Sequence, residues 1–142
     1  MTMMQKGFVV WLLLMGVESL HGMARIVLLE PGLGDLRARQ VAVFTGSLLI
    51  FTLAFFCVRW IGATTKRQLL EIGALWLLLT VAFEIVLGRF VMQLSWARIA
   101  ADYNLLAGGL MPIGLIVLAL APLLATLLRH RVALHQRMAE QG

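Results

Sequence analysis

Gly7-Phe-Val-Val-Trp-Leu-Leu-Leu-Met-Gly16-Val-Glu18-Ser-Leu-His21-Gly22-Met-Ala-Arg25-Ile-Val-Leu-Leu29 is the stretch on which the fold turns. Taken as one helix, residues 7–29 extend about 34 Å at about 1.5 Å per residue, enough to cross the hydrocarbon core of a bilayer. As a signal peptide it is weak. Only Lys6 precedes the apolar run, and Val17-Glu18-Ser19 is a poor substitute for a small-x-small cleavage site. An uncleaved spanning helix fits better, and it then holds three ionisable side chains where charge is costly.

Composition supports the membrane reading. The 142 residues are 61% hydrophobic and 13% charged, with mean hydropathy +0.94, against about a quarter charged in soluble domains. A soluble domain of this size has no interior large enough for so much apolar surface. The net charge of +5 does not point to nucleic acid: the twelve Lys and Arg fall at the ends of apolar runs rather than in a patch with interleaved aromatics. Cys57 is the only cysteine, so no intramolecular disulfide or cysteine-based metal site exists, and a small hydrophobe in an apolar run is its ordinary role.

Outward from the first span, Glu30-Pro31-Gly32-Leu-Gly34-Asp35 reads as a break, since proline disfavours helix at the residue before it. A second span covers 41–60, after the charged lead-in Leu36-Arg-Ala-Arg-Gln40. A basic loop around Lys66 and Arg67 leads to a third span at 69–91. An amphipathic connector follows, with a short interfacial helix over 95–103 in which Ser95 suits the cap and Trp96 and Tyr103 suit the headgroup level. The fourth span, 105–128, carries no charge and is rich in glycine and proline. The basic tail 129–142 reads as an extension of the last helix with affinity for anionic headgroups.

The fold class is therefore all-α: a single membrane domain over 1–142 with a bundle of four transmembrane helices. Four spans place both termini and the middle loop on one side of the membrane. Lys6, Arg59, Lys66, Arg67, Arg129, Arg131 and Arg137 lie there, against Arg25, Arg37, Arg39, Arg89 and Arg98 on the other. That bias favours cytoplasmic termini in a plasma or inner membrane.

The first and third spans echo each other at an offset of 66, where Gly7, Leu12, Leu13, Glu18 and Gly22 match Gly73, Leu78, Leu79, Glu84 and Gly88. The paired glutamates, each with glycine four residues on, carry the weight of this match; chance similarity between leucine-rich helices is the competing explanation. A true repeat would be two parallel hairpins related by an axis along the membrane normal. Gly22 and Gly88 would then let a neighbouring backbone come close.

Glu18 and Glu84 fall toward the outer ends of their spans. Glu18, His21, Gly22 and Arg25 share one helix face, so Glu18 can pair with His21 while Arg25 snorkels outward. Arg89 is five residues beyond Glu84, too far round the helix to pair with it directly. Three readings compete. The carboxyls hold helices together through arginine or serine partners. Alternatively they bind a small solute, ion or proton, since intramembrane carboxylates mark such pathways and desolvated carboxyl pairs suit proton-coupled binding. Or Glu18-Ser-Leu-His21, a Glu-x-x-His, belongs to a metal site of the di-iron carboxylate type. Leu87 stands where the second motif needs histidine, so one chain supplies only half that set, and no metal or cofactor is expected. His130 and His135 lie beyond the opposite membrane face, which leaves haem without support.

The chain's size, helix count and first-helix glutamate resemble the small multidrug-resistance transporters in architecture. The second and third spans lack the aromatic and glycine pattern around that family's substrate chamber, so the resemblance covers one residue and a helix count. Enzyme chemistry has little behind it: no nucleophile–base pair stands at a recognisable spacing, and no glycine-rich phosphate loop is present. Asp35, Asp102 and Tyr103, with Arg37 and Arg39, form a candidate polar rim beside the glutamates. The expectation is a ligand-binding site of Glu18, His21, Arg25, Glu84 and Arg89, or else an accessory subunit whose polar residues fasten helices. Its partners are the lipid bilayer and, because four short helices enclose little space, a homo-oligomer or larger membrane complex.

Overall fold

The computed structural model describes residues 1–142 and contains helices without strands. In chain order these are α1 Met3–Leu33, α2 Asp35–Ile61, α3 Lys66–Val91, α4 Trp96–Asp102 and α5 Met111–Gln141. All but α4 are long and apolar enough to cross a membrane. The protein is a multi-pass, all-helical membrane bundle.

The helix ends have local causes. Thr2 accepts from the Gln5 N–H while the Gln5 side chain accepts from the Thr2 N–H, a reciprocal cap that Thr65 and Gln68 repeat at the start of α3. Ser95 caps α4 by accepting from the Arg98 N–H. Gly34 sits at φ +79° and ψ 163°, a conformation almost confined to glycine, and that one residue turns α1 into α2. Gly62, in the left-handed region at φ +81°, ends α2.

α2 takes in the charged lead-in and begins at Asp35 rather than at 41, and two other sequence boundaries move. Pro31 does not break α1; the helix runs through it to Leu33. The preceding turn, Arg25–Leu29, is π-helical, with the Glu30 N–H donating to the Arg25 carbonyl. The extra residue in that turn shifts the carbonyls a proline ring would otherwise strike. The last span does not begin at Leu105. Leu105–Ala107 form a 3-10 turn, Gly108 takes φ +89°, and α5 starts at Met111 with Pro112 in its first turn, where a missing N–H is harmless. α5 then continues as one helix through the basic tail. Its 31 residues span about 46 Å, more than the roughly 30 Å hydrocarbon core, and residues 130–142 are largely exposed.

α1 and α5 each pack against both α2 and α3, giving the ring order α1–α2–α5–α3. The two hairpins lie parallel and side by side. A two-fold axis along the membrane normal would place α1 across the ring from α3, yet they are neighbours, so the expected axis is absent.

The half of the bundle that holds the termini contains the apolar core. Leu14, Ile72, Trp76 and Leu118 fill it, and small residues such as Ala54, Ala121 and Ala125 let the helices approach. A Cβ on Gly73 would collide with the Ala119 carbonyl, and one on Gly7 would stand 2.6 Å from Ile72 Cδ1. Two indoles lace α1 to α3: Trp76 Nε1 donates to the Gly7 carbonyl at 2.9 Å, and Trp11 Nε1 donates to Thr80 Oγ1 at 3.0 Å. Phe44, Leu48, Phe56 and Leu78 are exposed on the outside of the ring, where lipid covers them. A cavity of about 740 Å³ opens beyond this core where α2 ends against α5, and a second opens at the opposite end around the polar residues.

Candidate functional site

The first and third helices both carry their glutamates into that opposite end. Glu18 and Glu84 line one cavity of about 500 Å³, with Arg25 from α1, Arg39 and Gln40 from α2, and Asp102 from α4. Met23, Ile26, Val43, Phe83, Leu87 and Met111 supply its apolar walls. Each glutamate helix widens into a π-helical turn beside the cavity, Arg25–Leu29 in α1 and Leu87–Val91 in α3. Such turns recur at functional sites.

Glu18 is half-buried. Its Oε2 lies 3.5 Å from His21 Nδ1, while its Oε1 is buried with no hydrogen-bond partner in the protein. The opposite ring nitrogen of His21 is 2.7 Å from Thr45 Oγ1 of α2. Gly46 makes this approach possible, since its missing side chain leaves room for Glu18 and His21 against α2. Gly22 lines the cavity, and a Cβ there would meet nothing within 4 Å, whereas one on Gly88 would meet the side chains of Ile99 and Leu94. Neither glycine admits a neighbouring backbone, contrary to the sequence expectation; Gly73 does.

Arg25 turns toward the rim, with Nη1 at 3.5 Å from Glu30 Oε1 and 3.8 Å from Asp35 Oδ1. The rim itself is a closed set of ion pairs. Arg39 bridges Asp35, at 2.9 Å, and Asp102. Arg98 bridges the same two carboxylates, at 3.3 Å from Asp35 and 3.1 Å from Asp102. Gln40 Nε2 donates to the Gly108 carbonyl at 3.0 Å, and Gly109 tucks so tightly under the Ala101 and Asp102 carbonyls that a Cβ has no room. Thus α2, α4 and the connector before α5 are fastened together over the cavity.

Tyr103 lies in a recess of about 110 Å³ that shares Arg25, Glu84 and Asp102 with the main cavity. Its hydroxyl is buried without a partner. Burial, and then the carboxylates of Glu84 and Asp102, push its phenol above the usual tyrosine range.

Of the residues singled out from sequence, Glu18, Arg25, Glu84, Asp102 and Tyr103 line these two adjacent spaces. His21 stands behind Glu18, on the α2 side. Asp35 belongs to the rim. Arg89 lies outside both spaces: it donates to the Leu94 carbonyl at 3.1 Å and stacks 5.2 Å from the Trp96 ring, tying the end of α3 to the connector. Arg37 takes no part in the rim's ion pairs. Gln40, Thr45 and Gly46 escape a reading of the sequence, because nothing in their spacing separates them from ordinary polar or small positions in a span. No group of three or more His, Cys, Asp or Glu side chains has a metal-holding arrangement, so Glu18-Ser-Leu-His21 finds no further ligands within this chain. No protein-family model matches the chain, and comparisons with curated proteins and with solved structures find no match either.

Proposed function

We propose that this protein binds or moves a small solute, ion or proton at Glu18 and Glu84, in the half of the membrane away from its termini. One observation carries the reading: carboxyls from two different spans line a single cavity, and one oxygen of Glu18 is buried there with no protein partner. Carboxyls inside a membrane are retained against an insertion cost of roughly 2.5–3.5 kcal/mol at mid-span, and most serve pathways or pairs. In this proposal the termini are cytoplasmic, as the seven-to-five distribution of basic residues favours, and the bundle works as an oligomer in a plasma or inner membrane.

The rival role is that of an accessory subunit whose polar residues fasten helices, and the closed ion pairs of Asp35, Arg39, Arg98 and Asp102 favour it. Glu18→Gln and Glu84→Gln separate the two. In vesicles holding a pH-sensitive dye, the native protein is expected to pass protons down an imposed pH gradient, alone or against a gradient of ethylammonium. The Gln variants should insert normally, unfold within about 1 kcal/mol of the native protein, and lose that flux. Failure of the variants to insert, or flux equal to the native protein's, supports the fastening role.

A further inference from the structure

Three side-chain polar atoms of this protein are buried without a hydrogen-bond partner: Glu18 Oε1, Arg25 Nη1 and the Tyr103 hydroxyl. Folded proteins satisfy nearly all such atoms, so each exception calls for an explanation. These three are not scattered. Glu18 and Arg25 line the larger cavity, and Arg25 and Tyr103 line the adjacent recess, which has Arg25, Arg39, Glu84 and Asp102 in common with it.

Their chemistry is complementary in an instructive way. A carboxylate oxygen only accepts, a guanidinium nitrogen only donates, and a phenol donates readily to an anion. Arg25 Nη1 is attracted to Glu30 at 3.5 Å and Asp35 at 3.8 Å, but neither contact has hydrogen-bond geometry. A simple cation satisfies Glu18 and is repelled by Arg25. A simple anion does the reverse. One molecule satisfies all three atoms if it brings a donor to one end and an acceptor to the other.

We infer that the cavity takes a zwitterion, with its amine against Glu18 and its carboxylate or phosphodiester against Arg25 and Tyr103, where Arg39 and Arg98 offset the carboxylates of Glu84 and Asp102. This rests on the cavity being a solute site, as proposed above. Glu18 and Arg25 are seven residues apart on one helix face, about 10.5 Å along the axis. The two charges of the ligand are therefore separated by several atoms, as in an ω-amino acid or an ethanolamine lipid headgroup, rather than held on one carbon as in an α-amino acid. Met23, Ile26, Val43 and Phe83 offer apolar wall to the methylenes between them.

The test is calorimetric titration of the full-length protein in detergent. The probes are γ-aminobutyrate and glycerophosphoethanolamine, with propylamine and butyrate as half-ligands. At least one zwitterion should bind roughly tenfold or more tighter than either half-ligand, as expected for a hydrogen bond to a charged group. Glu18→Gln should weaken the zwitterion and propylamine but spare butyrate. Tyr103→Phe, which keeps the ring's packing, should weaken the zwitterion and butyrate but spare propylamine. If propylamine matches the zwitterions and Tyr103→Phe has no effect, the zwitterion is overturned while the cation site stands. If no probe binds and Glu18→Gln behaves as native in the flux assay, the solute site falls with it. Nanodiscs then identify the source. Phosphatidylethanolamine that weakens probe binding, relative to phosphatidylglycerol, marks a lipid headgroup; equal binding in both marks a soluble compound.

Discussion

A Cβ at Gly46 would stand 2.8 Å from Glu18 Oε2 and 3.3 Å from His21 Cε1, so the missing side chain there sets how closely the polar face of α1 approaches α2. The atoms in the way are the far ends of side chains, free to move without disturbing the backbone. Alanine is also the better helix former, by about 1 kcal/mol. Gly46→Ala should therefore unfold at the native temperature or slightly above it, while the displaced carboxylate cuts proton flux toward the level of Glu18→Gln. Native flux in that variant would show that the position of Glu18 is immaterial. Tyr103 offers a pH signature. Its phenol ionises above the ordinary value near 10 in the folded protein and at that value once unfolded, so the unfolded chain releases its proton first. Stability from this group is complete below the ordinary value and declines as pH rises through the raised one. Thermal unfolding between about pH 9 and pH 11 should thus fall more steeply for the native protein than for Tyr103→Phe, and parallel curves would discount the buried hydroxyl.

Helix by helix, the matched glycines part company. Gly73 faces the Ala119 backbone, which has no room to retreat, whereas Gly22 faces open cavity. Gly73→Ala should lower stability by about 1–3 kcal/mol through overpacking, and Gly22→Ala should leave it unchanged or raised. Detergent-solubilised thermal unfolding of the two variants checks this, and equal loss in both would refute the asymmetry. The contrast also marks where sequence runs out. The four spans are legible because apolar runs of about twenty residues have few other destinations than lipid. Their ends are less so: Pro31 reads as a break, but a π-helical turn that no residue pattern announces carries the helix past it. The start of α5 hides in an apolar run, where only the left-handed Gly108 shows that Leu105 is not yet in the long helix. Glu18 and Glu84 stand out because charge in an apolar run is rare. The cavity between them does not, since it depends on which spans are neighbours in the ring. The same neighbour relation brings Gln40 to the cavity wall, whereas Arg89 is a local tie to the connector residues that follow it.

The bundle as a unit is held by an apolar core in one half and by ion pairs at the rim of the other. Asp35, Arg39, Arg98 and Asp102 are all partly exposed, so each pair contributes only about 0–1 kcal/mol and is weakened by salt. Together they join α2 to α4 across the mouth of the cavity, while the core of apolar and small side chains holds the other end without them. Loosening the ion pairs should therefore open the cavity before it unfolds the protein. The reporter is a thiol at Gly22, which lines the cavity with space around it, placed as Gly22→Cys in a Cys57→Ser background. A water-soluble maleimide should label it slowly in the otherwise native chain and several-fold faster once Asp102→Asn removes one of the two carboxylates that both arginines share. Salt at about 1 M, where screening acts over roughly 3 Å, should speed labelling of the unaltered rim and, by screening the remaining Arg98–Asp35 pair, speed Asp102→Asn by a smaller factor. Because the packed half is untouched, helical content and unfolding temperature should change far less than the labelling rate. Labelling that is fast from the start, or indifferent to both Asp102→Asn and salt, would mean the ion pairs do not govern entry and solute reaches Glu18 between the helices from the lipid side.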